Sequence, residues 1–196
     1  MQTNLLSYSD ADKQKARLEL SKIRADIYDK QKYSELLCNG IEALKEYKDA
    51  DVILLYFPTR SEPDISPLAD IARRDGKKIA FPISVTKDCT LDFRFISSPD
   101  ELEIGAYGIR EPRADAERAT LSGRTLCIVP ALAVDADGYR LGYGKGYYDR
   151  FLAGYDGTKF GLAYSECIIN SVPRGRFDRH VDILISEKGV KIAKAR

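Results

Sequence analysis

A single histidine, His180, is all that 196 residues offer for imidazole chemistry. A Ser-His-Asp triad, a histidine general base and a His-rich metal site therefore have almost nothing to draw on. Four cysteines, Cys38, Cys89, Cys127 and Cys167, are scattered without any C-x-x-C pairing, so neither a zinc site nor a disulfide framework is indicated. No charge of one sign dominates: 31 Lys and Arg stand against 30 Asp and Glu, a formal charge of +1, and the first fifty residues are balanced too. No overall field draws in nucleic acid or an anionic membrane, and any phosphate binding has to be local. Long apolar runs are missing as well. The longest, Val52 to Phe57, is far too short to cross a bilayer, and Met1 to Asp12 holds no apolar core flanked by basic residues. The expectation is one cytoplasmic domain over residues 1–196, monomeric, with no nucleic acid and no membrane among its partners. What is left for chemistry is cations, carboxylates, backbone amides and Mg²⁺.

What the chain does have is a loop of unusual density. Gly138-Tyr-Arg-Leu-Gly-Tyr-Gly-Lys-Gly-Tyr-Tyr-Asp-Arg150 sets alternate glycines Gly142, Gly144 and Gly146 between Arg140 and Lys145, followed by Tyr147, Tyr148 and Asp149. Glycines at every second position let backbone N–H groups converge on an anion without Cβ interference, and the chain behind them can begin a helix. Asp149, one turn inside that helix, is placed to hold Mg²⁺ against phosphates. The spacing is neither a Rossmann fingerprint nor a P-loop. A plain glycine-rich turn ahead of an amphipathic helix is the competing reading. The attached Arg140, Lys145 and Asp149 favour the phosphate cradle.

The order of elements gives the frame. Ser9 or Asp10 can cap a helix running to about Asp29, and a second helix is expected over Tyr33–Tyr47, with Leu36, Leu37, Ile41 and Leu44 on one face. Together they make an N-terminal helical hairpin. Asp51–Phe57 reads as a strand buried on both faces, Ser66-Pro67 as an N-cap and first-turn proline, and Gly76 as the stop before a strand at Lys78–Pro82. That is a βαβ unit. Leu91–Ile96 alternates like an edge or antiparallel strand, and Thr125–Val129, Lys159–Ala163 and Val181–Ser186 supply further strands. The expected fold is α/β: a mostly parallel sheet flanked by helices, three-layered and Rossmann-like. Residues 99–122, rich in charge and proline, form the longest expected loop and a possible lid. In such sheets ligands bind beyond the carboxyl ends of strands, so Glu62, Asp149 and Glu187 are expected to approach one pocket.

Val129-Pro-Ala-Leu-Ala-Val-Asp135 followed by Arg140-Leu-Gly-Tyr-Gly-Lys-Gly-Tyr-Tyr-Asp149 resembles the signature of the 5-formyltetrahydrofolate cyclo-ligase family, also called methenyltetrahydrofolate synthetases. The resemblance covers most of the chain. Lys13 and Arg17 resemble the family's Lys-x-x-x-Arg pair, Glu62-Pro-Asp64 its pterin-holding segment, Gly108-Ile-Arg-Glu-Pro112 a characteristic loop, and Val181–Glu187 its closing strand. Ala131, Val134 and Leu91 depart from the usual residues beside the pocket. Read by themselves, Lys13 and Arg17 share a helix face four residues apart, as a solvated pair also would. Asp182, heading an apolar strand, needs a partner, and either Mg²⁺ or a neighbouring Arg would serve.

The resemblance implies that ATP and 5-formyltetrahydrofolate, with or without a polyglutamate tail, are the substrates, with Mg²⁺ as cofactor. It implies an ATP site of Lys13, Arg17, Arg140, Leu141, Gly142, Gly144, Lys145, Gly146, Tyr147 and Tyr148, with Arg140 and Lys145 catalytic. Lys145 points to phosphate or to the formyl oxygen. Folate is assigned to Phe57, Glu62, Tyr143, Tyr147 and Tyr148, and the metal to Asp149 and Asp182. The implied reaction gives 5,10-methenyltetrahydrofolate, ADP and phosphate. A non-catalytic folate- or nucleotide-binding regulator would show a cation or carboxylate lost from this set, and none is lost. A Mg-ATP kinase for another small molecule is the third reading.

Overall fold

The structure, a computed structural model, describes residues 9–194. Helix α1 (Asp10–Asp26) begins where Ser9 accepts from the Asp12 amide at 3.2 Å and the Asp12 carboxylate accepts from the Ser9 amide at 2.8 Å. This reciprocal cap satisfies two amides that a helix start would otherwise leave orphaned. Helix α2 (Lys30–Ala43) starts earlier than expected and is cut at Leu44, which is extended and turns the chain into α3 (Lys45–Asp49). No glycine or proline marks that break. It turns Tyr47 inward, where the ring is buried and the hydroxyl donates to Asp75 at 2.9 Å.

Seven strands form the main sheet in the order β11-β10-β9-β6-β1-β2-β3: β1 (Val52–Leu54), β2 (Lys78–Val85), β3 (Thr90–Ile96), β6 (Thr125–Pro130), β9 (Thr158–Leu162), β10 (Ile183–Ser186) and β11 (Gly189–Ile192). The five central strands run parallel, while β3 and β11 close the two edges antiparallel. β1 is shorter than expected, yet Leu55 and Tyr56 stay buried beyond its end. Helix α4 (Ser66–Arg74) bridges β1 and β2. Ser66 is its first residue rather than its cap, because the Asp64 carboxylate already accepts from the Ser66 amide at 2.8 Å. Gly76, at φ +75°, ends the following turn as expected.

Both faces of the sheet are covered. Leu37, Cys38 and Ile41 of α2 pack with Leu68, Ala69 and Ala72 of α4 on Ile53, Ile128 and Phe160. Leu36, expected on that face, is 42% exposed. On the other face Leu20 of α1 joins Val129, Leu184 and Leu152, the last from helix α5 (Tyr147–Leu152). The two N-terminal helices thus follow one another closely in sequence but serve opposite faces.

Residues 99–122 are not one open loop. They contain the hairpin of β4 (Leu102–Ile104) and β5 (Arg110–Pro112), and the Glu117 and Ala119 backbones bond to Phe95 and Phe93 at the β3 edge. That bonding covers an edge that would otherwise be open to pairing. From this segment Tyr107 to Glu111, the hairpin tip and the start of β5, line the cleft.

Candidate active site

The glycine loop is held from behind by the pair β7 (Ala133–Val134) and β8 (Arg140–Leu141). Asp135, 2% exposed, fixes the turn between them: one carboxylate oxygen accepts from the Asp137 and Tyr139 amides, and the other from Val172. Register then places Arg140 opposite Val134 and delivers its side chain, 4% exposed, into the site. Two glycines beyond it sit in left-handed backbone, Gly144 at φ +96° and Gly146 at φ +73°, the second being the residue that starts α5. At Gly144 space matters as much as conformation, since a Cβ there would lie 2.9 Å from Cζ of Arg17.

A cleft of about 1240 Å³ opens beyond the carboxyl ends of the parallel strands. It is walled by α1, the loop after β1, the tip of the β4–β5 hairpin, the glycine loop with α5, and residues 177–179. Eight Lys and Arg residues line it against five carboxylates, so a chain almost neutral overall carries a local excess of positive charge here. Such a site attracts an anion without a global field.

Most of the expected residues meet in this cleft. Lys13 and Arg17 enter from α1; Arg17 donates to the Gly142 carbonyl at 2.8 Å, and Lys13 pairs with Asp178 at 2.5 Å. Leu141, Gly142, Tyr143, Gly144, Lys145 and Gly146 line one wall with Tyr147 and Tyr148. Lys145 rests over the ring of Tyr107, 3.6 Å from its centroid, and the Tyr107 and Tyr147 hydroxyls are 3.0 Å apart. Arg140 donates to Asp149 at 3.1 Å, and the same Asp149 oxygen accepts from the Arg179 amide at 3.1 Å. The Nε of Arg140 and the hydroxyl of Tyr148 are buried with no hydrogen-bond partner among the described residues, two donors left over beside the cleft.

Glu62 and Phe57 occupy the end of the cleft near β1. Both hydrogen bonds to Glu62, from the Thr59 amide at 2.9 Å and hydroxyl at 3.0 Å, end on Oε2. Burial pushes the Glu62 carboxyl above the usual range, opposed by those bonds and by the charges of Arg24 and Arg60. Phe57 carries the Arg110 guanidinium 5.4 Å from its ring centroid.

Two expected carboxylates are elsewhere. Asp182 is absent from the cleft; it accepts from the Lys159 amide at 2.8 Å and pairs with the Lys159 ammonium at 3.2 Å. The partner it meets is a lysine rather than the neighbouring arginine expected, because Asp182 precedes β10 at the far end from the cleft. Glu187 does leave β10 at the correct edge but turns to accept from the Ser165 amide at 2.9 Å. The cleft instead receives Asp178, four residues before Asp182. Arg24 was also not foreseen, although Lys13, Arg17, Leu20 and Arg24 make one continuous stripe of α1 at 4, 3 and 4 residue intervals.

An open, mostly parallel sheet with a cationic, loop-built cleft at its carboxyl edge defines an α/β protein of the kind that binds ligands at that edge. Residues 9–187 match the model of the 5-formyltetrahydrofolate cyclo-ligase family, and the chain belongs to that family of enzymes. The 5-formyltetrahydrofolate cyclo-ligase of Haemophilus influenzae is 30% identical over 183 residues, covering 88% of this chain and 97% of that protein. A probable 5-formyltetrahydrofolate cyclo-ligase of Schizosaccharomyces pombe is 28% identical over 188 residues, 87% of this chain and 91% of its own. The NMR structure of Aquifex aeolicus 5,10-methenyltetrahydrofolate synthetase superposes with a TM-score of 0.82 at 32% identity, over 94% of each chain. A Mycoplasma pneumoniae synthetase shares the fold at 20% identity, with a TM-score of 0.71 over 90% of this chain and 99% of that one. No helix among the described residues is long and apolar enough to cross a membrane.

Proposed function

We propose that this enzyme couples ATP to the cyclisation of 5-formyltetrahydrofolate, giving 5,10-methenyltetrahydrofolate, ADP and phosphate. The observation that carries the reading is that one cleft joins a glycine loop with Lys13, Arg17, Arg140 and Lys145 to a half-buried Glu62 beside Phe57 near β1. A triphosphate suits the first, and a flat ring system with N–H donors suits the second.

The N5-formyl group is an amide, a poor electrophile whose oxygen is a poor leaving group. In the proposed first step that oxygen attacks the γ-phosphorus, and ADP departs with the electrons of the broken P–O bond. N10 then attacks the formyl carbon, phosphate leaves with the C–O bond electrons, and the N10 proton leaves with the phosphate or to water. Because the second nucleophile is tethered to the first, proximity supplies much of the rate and no covalent enzyme intermediate is needed. The protein's own task is to neutralise and orient the phosphates, which explains why one histidine suffices. Arg140 and the loop amides face the transferring group. Lys145 serves either the phosphates or the formyl oxygen once it leaves the Tyr107 ring.

Among the described residues no group of three or more His, Cys, Asp or Glu forms a metal cage. Mg²⁺ carried on phosphates needs only one or two carboxylates, which Asp149 and Asp178 at the cationic end supply. Bound there, the ion would offset charge on the phosphate oxygens. Turnover of 5-formyltetrahydrofolate with ATP, followed by the near-ultraviolet absorbance of the methenyl product, tests the reading. Binding of both ligands without turnover would make the chain a regulator, and phosphorylation without cyclisation would make it a kinase.

A further inference from the structure

Arg24 is 2% exposed, yet its three hydrogen bonds all go to neutral oxygens: the Ser61 hydroxyl at 3.0 Å, the Ala131 carbonyl at 3.3 Å, and the Tyr143 hydroxyl. Burying a guanidinium without a carboxylate is costly, so a residue kept this way calls for a role. Its three partners come from three different segments around the cleft. Ser61 precedes Glu62, Ala131 follows β6, and Tyr143 lies between the first two glycines of the loop. Tyr143 is further clasped by Arg60, 5.3 Å from the ring centroid, with Arg24 at 5.6 Å.

We propose that Arg24 is a positioning residue for the folate end of the cleft, tying the Glu62 loop to the glycine loop and keeping the Glu62 carboxylate anionic by its buried charge. The inference rests on the reading of Glu62 as the folate contact. Groups facing Glu62 come from every neighbouring element: Arg24 from α1, Thr59 and Arg60 from its own loop, Tyr56 from the end of β1, and Tyr148 from α5. Burial holds both phenols well above their ordinary range, so they stay neutral near Glu62. Only Arg24 and Arg60 are charges that favour the carboxylate, and Arg24 is the buried one. The planar fork matters separately, since a lysine keeps the charge but bonds the three segments from one point.

The two roles separate in two variants of the whole enzyme, with folate affinity measured by calorimetry against pH and kcat measured with both substrates. Arg24→Gln moves the acid limb of folate binding to higher pH, because Glu62 protonates sooner without its buried cation. Arg24→Lys leaves that limb where the unaltered enzyme has it, while kcat falls by roughly tenfold to a hundredfold from misplacement of the two loops. A limb unmoved by Arg24→Gln, or moved equally by both variants, overturns the proposal. Should Arg24→Gln fail to fold, Ser61→Ala cuts the bond to the Glu62 loop and leaves the charge. It should lower kcat/KM for folate with the limb in place, and unchanged kcat/KM would sink the positioning role. An unaltered enzyme that does not turn over 5-formyltetrahydrofolate defeats the functional reading instead, a result distinct from either.

Discussion

The guanidinium of Arg17 lies directly against Gly144, donating to the Gly142 carbonyl at 2.8 Å and leaving no room for a Cβ on the glycine. The contact orders the loop before any ligand arrives. Gly144→Ala should therefore displace Arg17 and strain the φ +96° backbone, costing about 1–3 kcal/mol of stability and raising the KM for ATP. Melting curves and steady-state kinetics check both.

Lys13→Ala and Arg17→Ala should each raise the KM for ATP more than that for folate. Each lost charge-assisted contact costs about 1.5–3 kcal/mol, roughly tenfold or more in affinity. Lys13 pairs with Asp178, so its loss also frees that carboxylate near the phosphates. Equal effects on the two substrates, or none, would take both residues out of the ATP site.

Glu62→Gln should weaken folate binding by about 1.5–3 kcal/mol and leave ATP binding nearly intact, since one amide oxygen accepts less than a carboxylate does. Stability should move the opposite way. Burial raises the Glu62 carboxyl above its ordinary range, so the native state holds this proton more tightly than the unfolded chain. The stabilisation is fully present below the unfolded pKa and is lost as pH rises through the folded one. At neutral pH the glutamine variant should melt higher than the parent, and the advantage should vanish in acid. A variant that loses both stability and folate affinity would make Glu62 a loop brace.

The main parallel strands and the glycine loop were legible because local signals carry them: continuous β-prone runs mark buried strands, and alternate glycines mark a close backbone approach. The site was legible where its residues sit beside those signals, as Arg140, Lys145 and Asp149 do. Asp182 misled because a carboxylate at a strand end looks the same whether it faces a cleft or a lysine. Which end of β10 it occupies decides that, and Lys159 on the neighbouring strand took it. Asp178 and Arg24 went unseen because neither has a local motif. Asp178 sits in an irregular segment whose path depends on Lys13, 165 positions away, and Arg24 looks like any helix cation until Ser61, Ala131 and Tyr143 close over it.

Asp149→Asn keeps shape and removes charge. The parent carboxylate accepts from Arg140, whose side chain is 4% exposed, so the variant should lose about 1.5–3 kcal/mol of stability. If Asp149 also helps hold Mg²⁺, kcat should fall by about a hundredfold or more, with partial recovery at higher Mg²⁺ or with Mn²⁺. A lowered melting temperature with near-normal kcat would leave Asp149 as the partner of Arg140 and nothing more.

Asp178 and Asp182 allow the sharpest comparison, because they lie four residues apart and only one reaches the cleft. Asp178→Asn weakens the hold on Lys13 and removes negative charge beside Asp149, whose Oδ1 already accepts from the Arg179 amide at 3.1 Å. The Mg²⁺ concentration for half-maximal rate should rise by roughly tenfold, the scale of one charge-assisted contact. Asp182→Asn touches only the Lys159 pair, where the carboxylate is 38% exposed. It should cost at most about 1 kcal/mol of stability, the upper range for a largely solvated pair, and leave the Mg²⁺ requirement unmoved. A Mg²⁺ series on the two variants decides the assignment: if the requirement shifts for Asp182→Asn and not for Asp178→Asn, the metal is held at the other end of β10 and the cleft has been misread.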